Sequence, residues 1–564
     1  MIPATFPFIF LFLAAIIVPL TKGHTRTVIV FIALICSAVN VANLEEGMVW
    51  QWTFLNFEIT PLRIDRLSLL FGYLFHIAAL IGIIFSLHVK STLQQSTSLI
   101  YAGSALGAVF AGDLLTLFIF WEFLALSSVF LIWARGTDRA FKAGMRYLQV
   151  QILSGLLLLA GILFYWYEHQ SLQFDFIGLL GTHGWLIFAA FGIKCAFPFV
   201  HNWLTDAYPE ATATGTVFLS AFTTKVAVYC LARAYPGEDL LVYIGAAMAC
   251  FPIFYAVIEN DLRRVLAYSL VNQLGFMVVG VGIGTALALN GAVAHAFTDV
   301  IFKGLLFMSM GAVLHMTGKI NGSELGGLYK SMPKTTILCI VGAASISAFP
   351  LFSGFISKSM IMTAALYENY NGVWLILLFA SAGVFHHAGI KIPYFAFFAH
   401  DSGIRTTEPP KNMLLAMTIA AVLCVTLGVF PNVLYQHLPF NAEYTPYDVT
   451  HVLTQLQLLF FSALAFVWLN LKNLYPPELP STNLEFDWIY RRAIPNMFNA
   501  FVYRLGLLSR KSKAVTLRIY DNIKWQSKLV PGLDTLLSGA SISTSAMVSW
   551  ISLLLAVFLL LSFI

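Results

Sequence analysis

The sequence predicts an all-α polytopic membrane protein. Of its 564 residues 59% are hydrophobic and only 10% charged, with a mean hydropathy of +0.81; soluble domains carry roughly 25% charged residues. Apolar runs of about 18 residues or more, each long enough to span a bilayer, recur from Phe8 to Ile564, about sixteen in all by hydropathy. They include 27–43, 67–88, 113–133, 239–258, 412–431 and 547–564. The short alternating segments of a membrane β-barrel do not occur.

In chain order, the first run (Phe6 to Leu20) follows no basic segment and reads as a retained helix, not a cleaved signal. Basic residues then cluster in alternate loops: Lys22 and Arg26; Lys90; Arg135, Arg139, Lys142 and Arg146; Arg263 and Arg264; Lys319, Lys330 and Lys334. This parity places the N-terminus outside and these loops in the cytoplasm. The loop 201–212 ("HNWLTDAYPEAT") falls on the same side yet is acidic, and is expected to be a special, partly buried segment. From Lys472 to Ile542 the chain holds ten Lys or Arg with apolar residues (Phe498, Phe501, Val502, Leu505, Leu508) at helical spacing. That pattern predicts an amphipathic helix on the bilayer or on a neighbouring subunit, followed by a last span from about Met547.

Ionisable residues inside apolar helices are costly and mark pathways. Glu122 sits in "FWEFLALSS", Lys194 in "GIKCAFPF", Lys225 in "SAFTTKVAVY", and His295, Asp299 and Lys303 in "AHAFTDVIFKG". Lys358 sits in "FPLFSGFISKSM", and His386, His387 and Lys391 in "FHHAGIKIP". One such residue could be a packing ion pair; six helices carrying them predict a polar route through the membrane. Pro198 and Pro350 repeat one motif, "CAFPF" and "SAFPL", each beside a membrane lysine. A proline removes an N–H and clashes with the carbonyl four residues back, which is that of Lys194 and of Ile346. Both helices should break there. Irregular backbone at membrane depth needs protein or a cavity around it, and paired broken helices point to an inverted-repeat transporter. Buried lysines lose proton affinity and neighbouring carboxylates restore it, which suits proton transfer. His295, Asp299 and Lys303 are spaced four apart on one helical face, so Asp299 is expected to hold Lys303 or to share it with His295.

These segments, with "HNWLTDAYPEA", "ENDLRRVLAYSLVNQLG" and "GGLYKSMPKT", run in order over about residues 60–430. They resemble the antiporter-like membrane subunits of Mrp-type cation/proton antiporters and respiratory complex I, and fit the Mrp D-type best. The resemblance implies two inverted five-helix repeats, helices 4–8 and 9–13, with helices 7 and 12 broken, plus flanking helices. The expected division is 1–95 (N-terminal helices), 96–235 and 236–400 (the repeats), 401–471 (further helices), 472–542 (basic amphipathic segment) and 543–564 (last helix). By motif, Glu122 would switch Lys194, Lys225 and His295 would continue a central axis, and Lys358 would be its terminal lysine. Asp299 stands where the family usually has histidine, Tyr208 where "DAH" is common, and the tail is longer than in the Mrp D-type.

The implied function is proton translocation within a multisubunit complex of a bacterial inner membrane, coupled to Na⁺ exchange. The implied alternatives are a complex I-like or hydrogenase-like redox complex, or an inorganic-carbon uptake complex. Expected partners are other membrane subunits, protons, Na⁺ and lipid, with no nucleic acid. The six cysteines are isolated from one another, which argues against disulfides, zinc and iron–sulfur clusters. A haem enzyme using His201, His295, His315, His386 or His387 lacks paired-ligand spacing, so neither cofactor nor metal is expected.

Overall fold

The computed structural model describes residues 5–506, apart from 55–56, 442, 480–482 and 505. The chain divides into one unit ending at Asn483 and another beginning at Leu484.

In the first unit, helices α1 (Pro7–Ile17), α2 (Gly23–Ala42), α3 (Arg66–Ser86) and α4 (Thr92–Phe110) precede the first broken region. A hairpin of β1 (Val49–Phe54) and β2 (Phe57–Arg63), not foreseen from sequence, joins α2 to α3. Then come α5 (Leu114–Trp133), α6 (Asp138–His169), α7 (Gly181–Lys194), α8 (Asn202–Ala207), α9 (Gly215–Ala221) and α10 (Thr223–Ala234). The second half holds α11 (Asp239–Ile258), α12 (Leu262–Ile283), α13 (Ala286–Thr317), α14 (Pro333–Ile346), α15 (Ser353–Tyr367) and α16 (Asn371–Val384), the last continuing as a π-helix through Lys391. Helices α17 (Lys411–Val429), α18 (Asn432–Tyr435) and α19 (Val449–Leu471) complete the unit. Among the described residues, 11 helices are long and apolar enough to cross a membrane. The proline-cut pieces α7 and α14, of 14 residues each, are too short alone.

The halves repeat one another in detail. Asp113 caps α5 by accepting from the Thr116 amide, and Asp261 caps α12 by accepting from the Arg263 and Arg264 amides; each cap stabilises its helix by about 1 kcal/mol. Each aspartate also bridges the chain just past the following helix, Asp113 to Gln173 and Asp261 to Asn321. The two proline breaks match hydrogen bond for hydrogen bond. Ala196 donates to Ile193 and Ala348 to Ser345, both at 3.1 Å; Phe197 donates to Gly192 and Phe349 to Ala344, both at 3.0 Å. Both breaks place two non-glycine residues in the left-handed region: Ala196 (φ 62°) and Phe199 (72°), Ala348 (57°) and Leu351 (73°). Such backbone costs roughly 1–3 kcal/mol per residue and persists only where the surroundings impose it. The proline echo read from the sequence is thus a repeated structural element within a fold of two inverted repeats.

Burial ranks the helices. The apolar windows of Gly215–Ala234 and Leu262–Ile283 are wholly enclosed by protein, whereas that of Val449–Leu471 is 11% buried and faces outward. A charge on the inner helices therefore meets neither lipid nor bulk solvent and must find a partner inside the protein.

The basic loops gather on one face. There Asp206 pairs with Arg146 at 2.7 Å, and Glu210 with Arg139 (2.7 Å) and Arg135 (3.4 Å). Fully buried Arg263 donates to the carbonyls of Pro209, Tyr208, Ala211 and Thr212. The acidic loop 201–212 is therefore the partly buried segment expected, neutralised by the loop it neighbours. The β-hairpin lies at the other end of α6, where Arg63 pairs with Asp175 at 2.8 Å.

In the second unit residues 487–504 are helical, and Phe498, Phe501 and Val502 stand exposed along one side. The rest of the expected amphipathic segment and the last span from Met547 lie outside the described residues.

Candidate functional site

Six ionisable side chains come to lie in the buried centre of the first unit: Lys194, Lys225, His295, Asp299, Lys303 and Lys358, each at most 2% exposed. Their partners are specific.

Lys194 is the last residue of α7, as the proline four residues later requires. Its ammonium donates to the Trp121 carbonyl at 2.5 Å and lies 4.3 Å from the centre of the Trp121 ring. The indole is itself fixed: its N–H donates to Ser154 Oγ (3.0 Å), which donates to the Ala190 carbonyl on α7 (2.7 Å). Trp121 thus supplies both a dipole and a π-face to the cation. Nothing in the sequence marks it, because it reads as one more apolar residue. Glu122, half-buried, makes no ion pair with Lys194 among the described residues. Its Oε1 fills the slot beside Gly155 on α6, where a Cβ would otherwise stand, and among the described residues it is buried without a hydrogen-bond donor. The two groups expected to switch one another are adjacent through Trp121, not in direct contact.

The halves meet at Lys225 and Asp299. Lys225 on α10 places its ammonium 2.6 Å from Asp299 Oδ2 on α13, both side chains at zero exposure, and donates also to the Ser220 carbonyl at 3.2 Å. This corrects the expectation from spacing. Asp299 reaches across to the other repeat, while Lys303, one turn along, donates to Ser269 Oγ of α12 at 2.8 Å. Spacing along one helix reveals only that helix's own candidates; the wholly enclosed α10 brings a desolvated ammonium whose other partner is a single carbonyl, and the carboxylate goes there.

His295 contacts Ser357 Oγ through Nδ1 (2.9 Å) and Gln273 Oε1 through Nε2 (3.1 Å), and Ser357 also contacts Thr298 (2.9 Å). On the second broken helix, Lys358 donates to the Ile346 carbonyl at 2.8 Å. That is the carbonyl expected to be freed by Pro350, so the break itself makes the lysine's acceptor. Lys358 also lies 5.1 Å from the Phe276 ring centre, repeating the lysine-on-aromatic arrangement of Lys194. Ser269, Gln273 and Phe276 fall at i, i+4 and i+7, one face of α12. That polar-aromatic stripe in "YSLVNQLGF" was the available signal for the connecting residues.

Lys391 stands apart. It donates to the carbonyls of Ala256, Val257 and Glu259 at the end of α11 and pairs with Glu478 at 2.8 Å. Helix C-termini leave orphan carbonyls and favour cations, so this lysine is a cap. His386 stacks on Tyr475, 5.3 Å between ring centres. His387 is buried on the same π-helix.

Known proteins resemble this chain across the same region. Residues 111–386 match the family described as NADH:quinone oxidoreductase/Mrp antiporter, TM. The L-type subunit of the NADH-quinone oxidoreductase of Campylobacter jejuni is 30% identical over 361 residues, 60% of this chain and 59% of that protein. The A-type subunit of the Na⁺/H⁺ antiporter of Alkalihalophilus pseudofirmus is 28% identical, over 75% of this chain and 60% of its own. The chain thus spans about 60% of the length of these relatives. The fold is shared with a chain of the archaeal membrane-bound sulfane sulfur reductase, a respiratory membrane complex, with a TM-score of 0.73 and 21% identity over 98% of this chain and 99% of that one. Over residues 111–386 the chain is thus similar to the membrane subunits of NADH:quinone oxidoreductases and Mrp antiporters.

Proposed function

We propose that the chain is the proton-translocating subunit of a multisubunit complex in a bacterial inner membrane, exchanging Na⁺ for protons in the Mrp manner. The observation that carries this reading is the Lys225–Asp299 pair, an ion pair at zero exposure joining the two repeats. In this reading the repeats 96–235 and 236–400 are two half-pathways. Lys194 and Lys358 guard the broken helices, Glu122 sets the charge near Lys194, and Lys225, His295, Asp299 and Lys303 pass the proton between the halves. Pro198 and Pro350 give each half-pathway its opening. The basic loops face the cytoplasm, so a cysteine at Arg139→Cys stays unlabelled by an impermeant reagent added outside intact cells. Buried pairs of this kind contribute little net stability, which supports a role beyond packing.

The test is Na⁺-dependent proton release from everted vesicles carrying the whole complex. Lys194→Ala or Glu122→Ala abolishes it at normal complex abundance; wild-type exchange in both variants removes the mechanism. A redox-coupled reading is favoured by one observation, the near-complete overlap with the archaeal respiratory chain, and the extra length beyond Lys472 suits it. Proton movement driven by an electron donor and indifferent to Na⁺ would select it.

A further inference from the structure

Away from the charged centre, Glu168 and His169 end α6 and His183 lies in the first turn of α7, at the end of α6 remote from the basic loops. One donor atom from each lies within 4.8 Å of the others. The details are those of ligands more than of an ordinary ion pair. His183 is 4% exposed, and its Nδ1 stands 2.8 Å from Glu168 Oε2, an ion-pair contact that does not meet hydrogen-bond geometry, and among the described residues that buried nitrogen has no hydrogen-bond partner. His169 Nδ1 contacts the Tyr165 carbonyl at 3.2 Å, its usual tie being an N–H donation. That contact leaves Nε2 as the lone-pair nitrogen, and a carbonyl on the far nitrogen is how metal-binding histidines are commonly oriented. The Tyr165 ring stacks on His169 (4.5 Å between centres) and meets His183 edge-on (5.3 Å), holding both imidazoles. Gly181 keeps the space beside the donors open: a Cβ there would stand 3.0 Å from His183 Nδ1 and 3.4 Å from Glu168 Oε2.

We propose that Glu168, His169 and His183 bind a Zn²⁺ ion that clasps the end of α6 to the start of α7, the broken helix that ends in Lys194. Two imidazoles and one carboxylate are a donor set that suits zinc over magnesium or calcium. Zinc–nitrogen and zinc–oxygen bonds are about 2.0–2.2 Å, which sets tetrahedral donors roughly 3.3 Å apart. The donors, which lie within 4.8 Å of one another, have to close to that spacing, and Glu168 and His169 are exposed at a helix end where they can move. Three protein ligands leave the fourth position to solvent. Cysteine and histidine spacing could not reveal the site, because residues 168–169 and 183 are joined by a loop with no ligand pattern.

The inference is independent of the transport reading and is tested without it. Purified full-length protein in lipid nanodiscs, stripped with chelator, is titrated with Zn²⁺ against a chromophoric competitor, and separately with Co²⁺ while recording its visible absorption. Wild type takes up one Zn²⁺ per chain and gives the intense Co²⁺ bands of a tetrahedral site. His183→Ala and the exposed His169→Ala each weaken Zn²⁺ binding at least tenfold and remove the Co²⁺ bands. Absence of stoichiometric Zn²⁺ uptake by wild type overturns the proposal. So does undiminished binding in His169→Ala, a variant that leaves the buried packing intact.

Discussion

Removing one member of the Lys225–Asp299 pair separates a packing role from a transport role. In Asp299→Asn the Lys225 ammonium loses its counter-charge and keeps only neutral acceptors, the new amide oxygen and the Ser220 carbonyl at 3.2 Å, inside a helix wholly enclosed by protein. An uncompensated buried charge costs roughly 3–5 kcal/mol. Unfolding entropy near 2.1 cal/mol/K per residue implies about 1.2 kcal/mol/K for a chain of this length, so Tm falls by about 3–4 °C. That is a lower bound, since helices in a bilayer stay formed and the entropy of dissociating them is smaller. The double variant Lys225→Met/Asp299→Leu replaces the pair by apolar groups of similar volume, an exchange that is often neutral or stabilising by about 1–4 kcal/mol. Its Tm should therefore return to or exceed that of wild type. Transport should stay at least a hundredfold down in both variants, because each breaks the charged pair that joins the two repeats and the double variant removes both of its titratable groups. Thermal unfolding of purified protein and proton flux in vesicles are read on the same preparations. A double variant that is stable and transports at the wild-type rate refutes the reasoning and leaves the pair a matter of packing alone.

Gly155→Ala should raise helix propensity, favouring folding by about 0.5–1 kcal/mol. The new methyl nevertheless claims the place of Glu122 Oε1, so proton flux falls about tenfold or more while expression is normal; unchanged flux would show that the position of the carboxylate is immaterial. Lys391→Met removes a cap shared by three carbonyls and leaves Glu478 unpaired. Thermal stability should drop by about 3 kcal/mol, with transport per surviving molecule unchanged; a selective loss of transport would place Lys391 on the route. Ala196→Gly relieves a positive φ and should stabilise by about 1 kcal/mol without loss of flux, measured by thermal denaturation; destabilisation would mean that the methyl group is needed where it packs.

What was legible in the sequence depends on what each kind of signal reports. Composition and run length report the solvent, so the membrane fold was readable. Proline chemistry is local, so the end of α7 at Lys194 and the release of the Ile346 carbonyl could be derived from four-residue arithmetic alone. Charges in apolar runs were visible one by one, since the rest of those segments is uncharged. Their pairing was not. Spacing offered Lys303 to Asp299, and the tertiary fold delivered Lys225 instead. Neutral groups were the least visible, because a tryptophan or a serine in a hydrophobic helix carries no mark of its task; Trp121 under Lys194 and Ser269 beside Lys303 emerge only when the helices are set side by side.

The two breaks also show why an identical backbone need not give an identical site. Both prolines impose the same hydrogen bonds and the same left-handed residues, but the lysine precedes the proline in one and follows it in the other. Lys358 therefore lies within reach of the carbonyl its own break releases, at 2.8 Å. Lys194 belongs to the turn being broken, and its ammonium turns away to the neighbouring helix, onto Trp121. The acceptor of Lys358 is built into one interrupted helix and is constant as long as the break persists. That of Lys194 depends on how α5 sits against α7, and so does its separation from Glu122, the next residue along α5. Relative movement of α5 and α7 would change the surroundings of Lys194 and leave the bond of Lys358 to its own break untouched, which makes the first repeat the half of the route where conformation and charge are coupled.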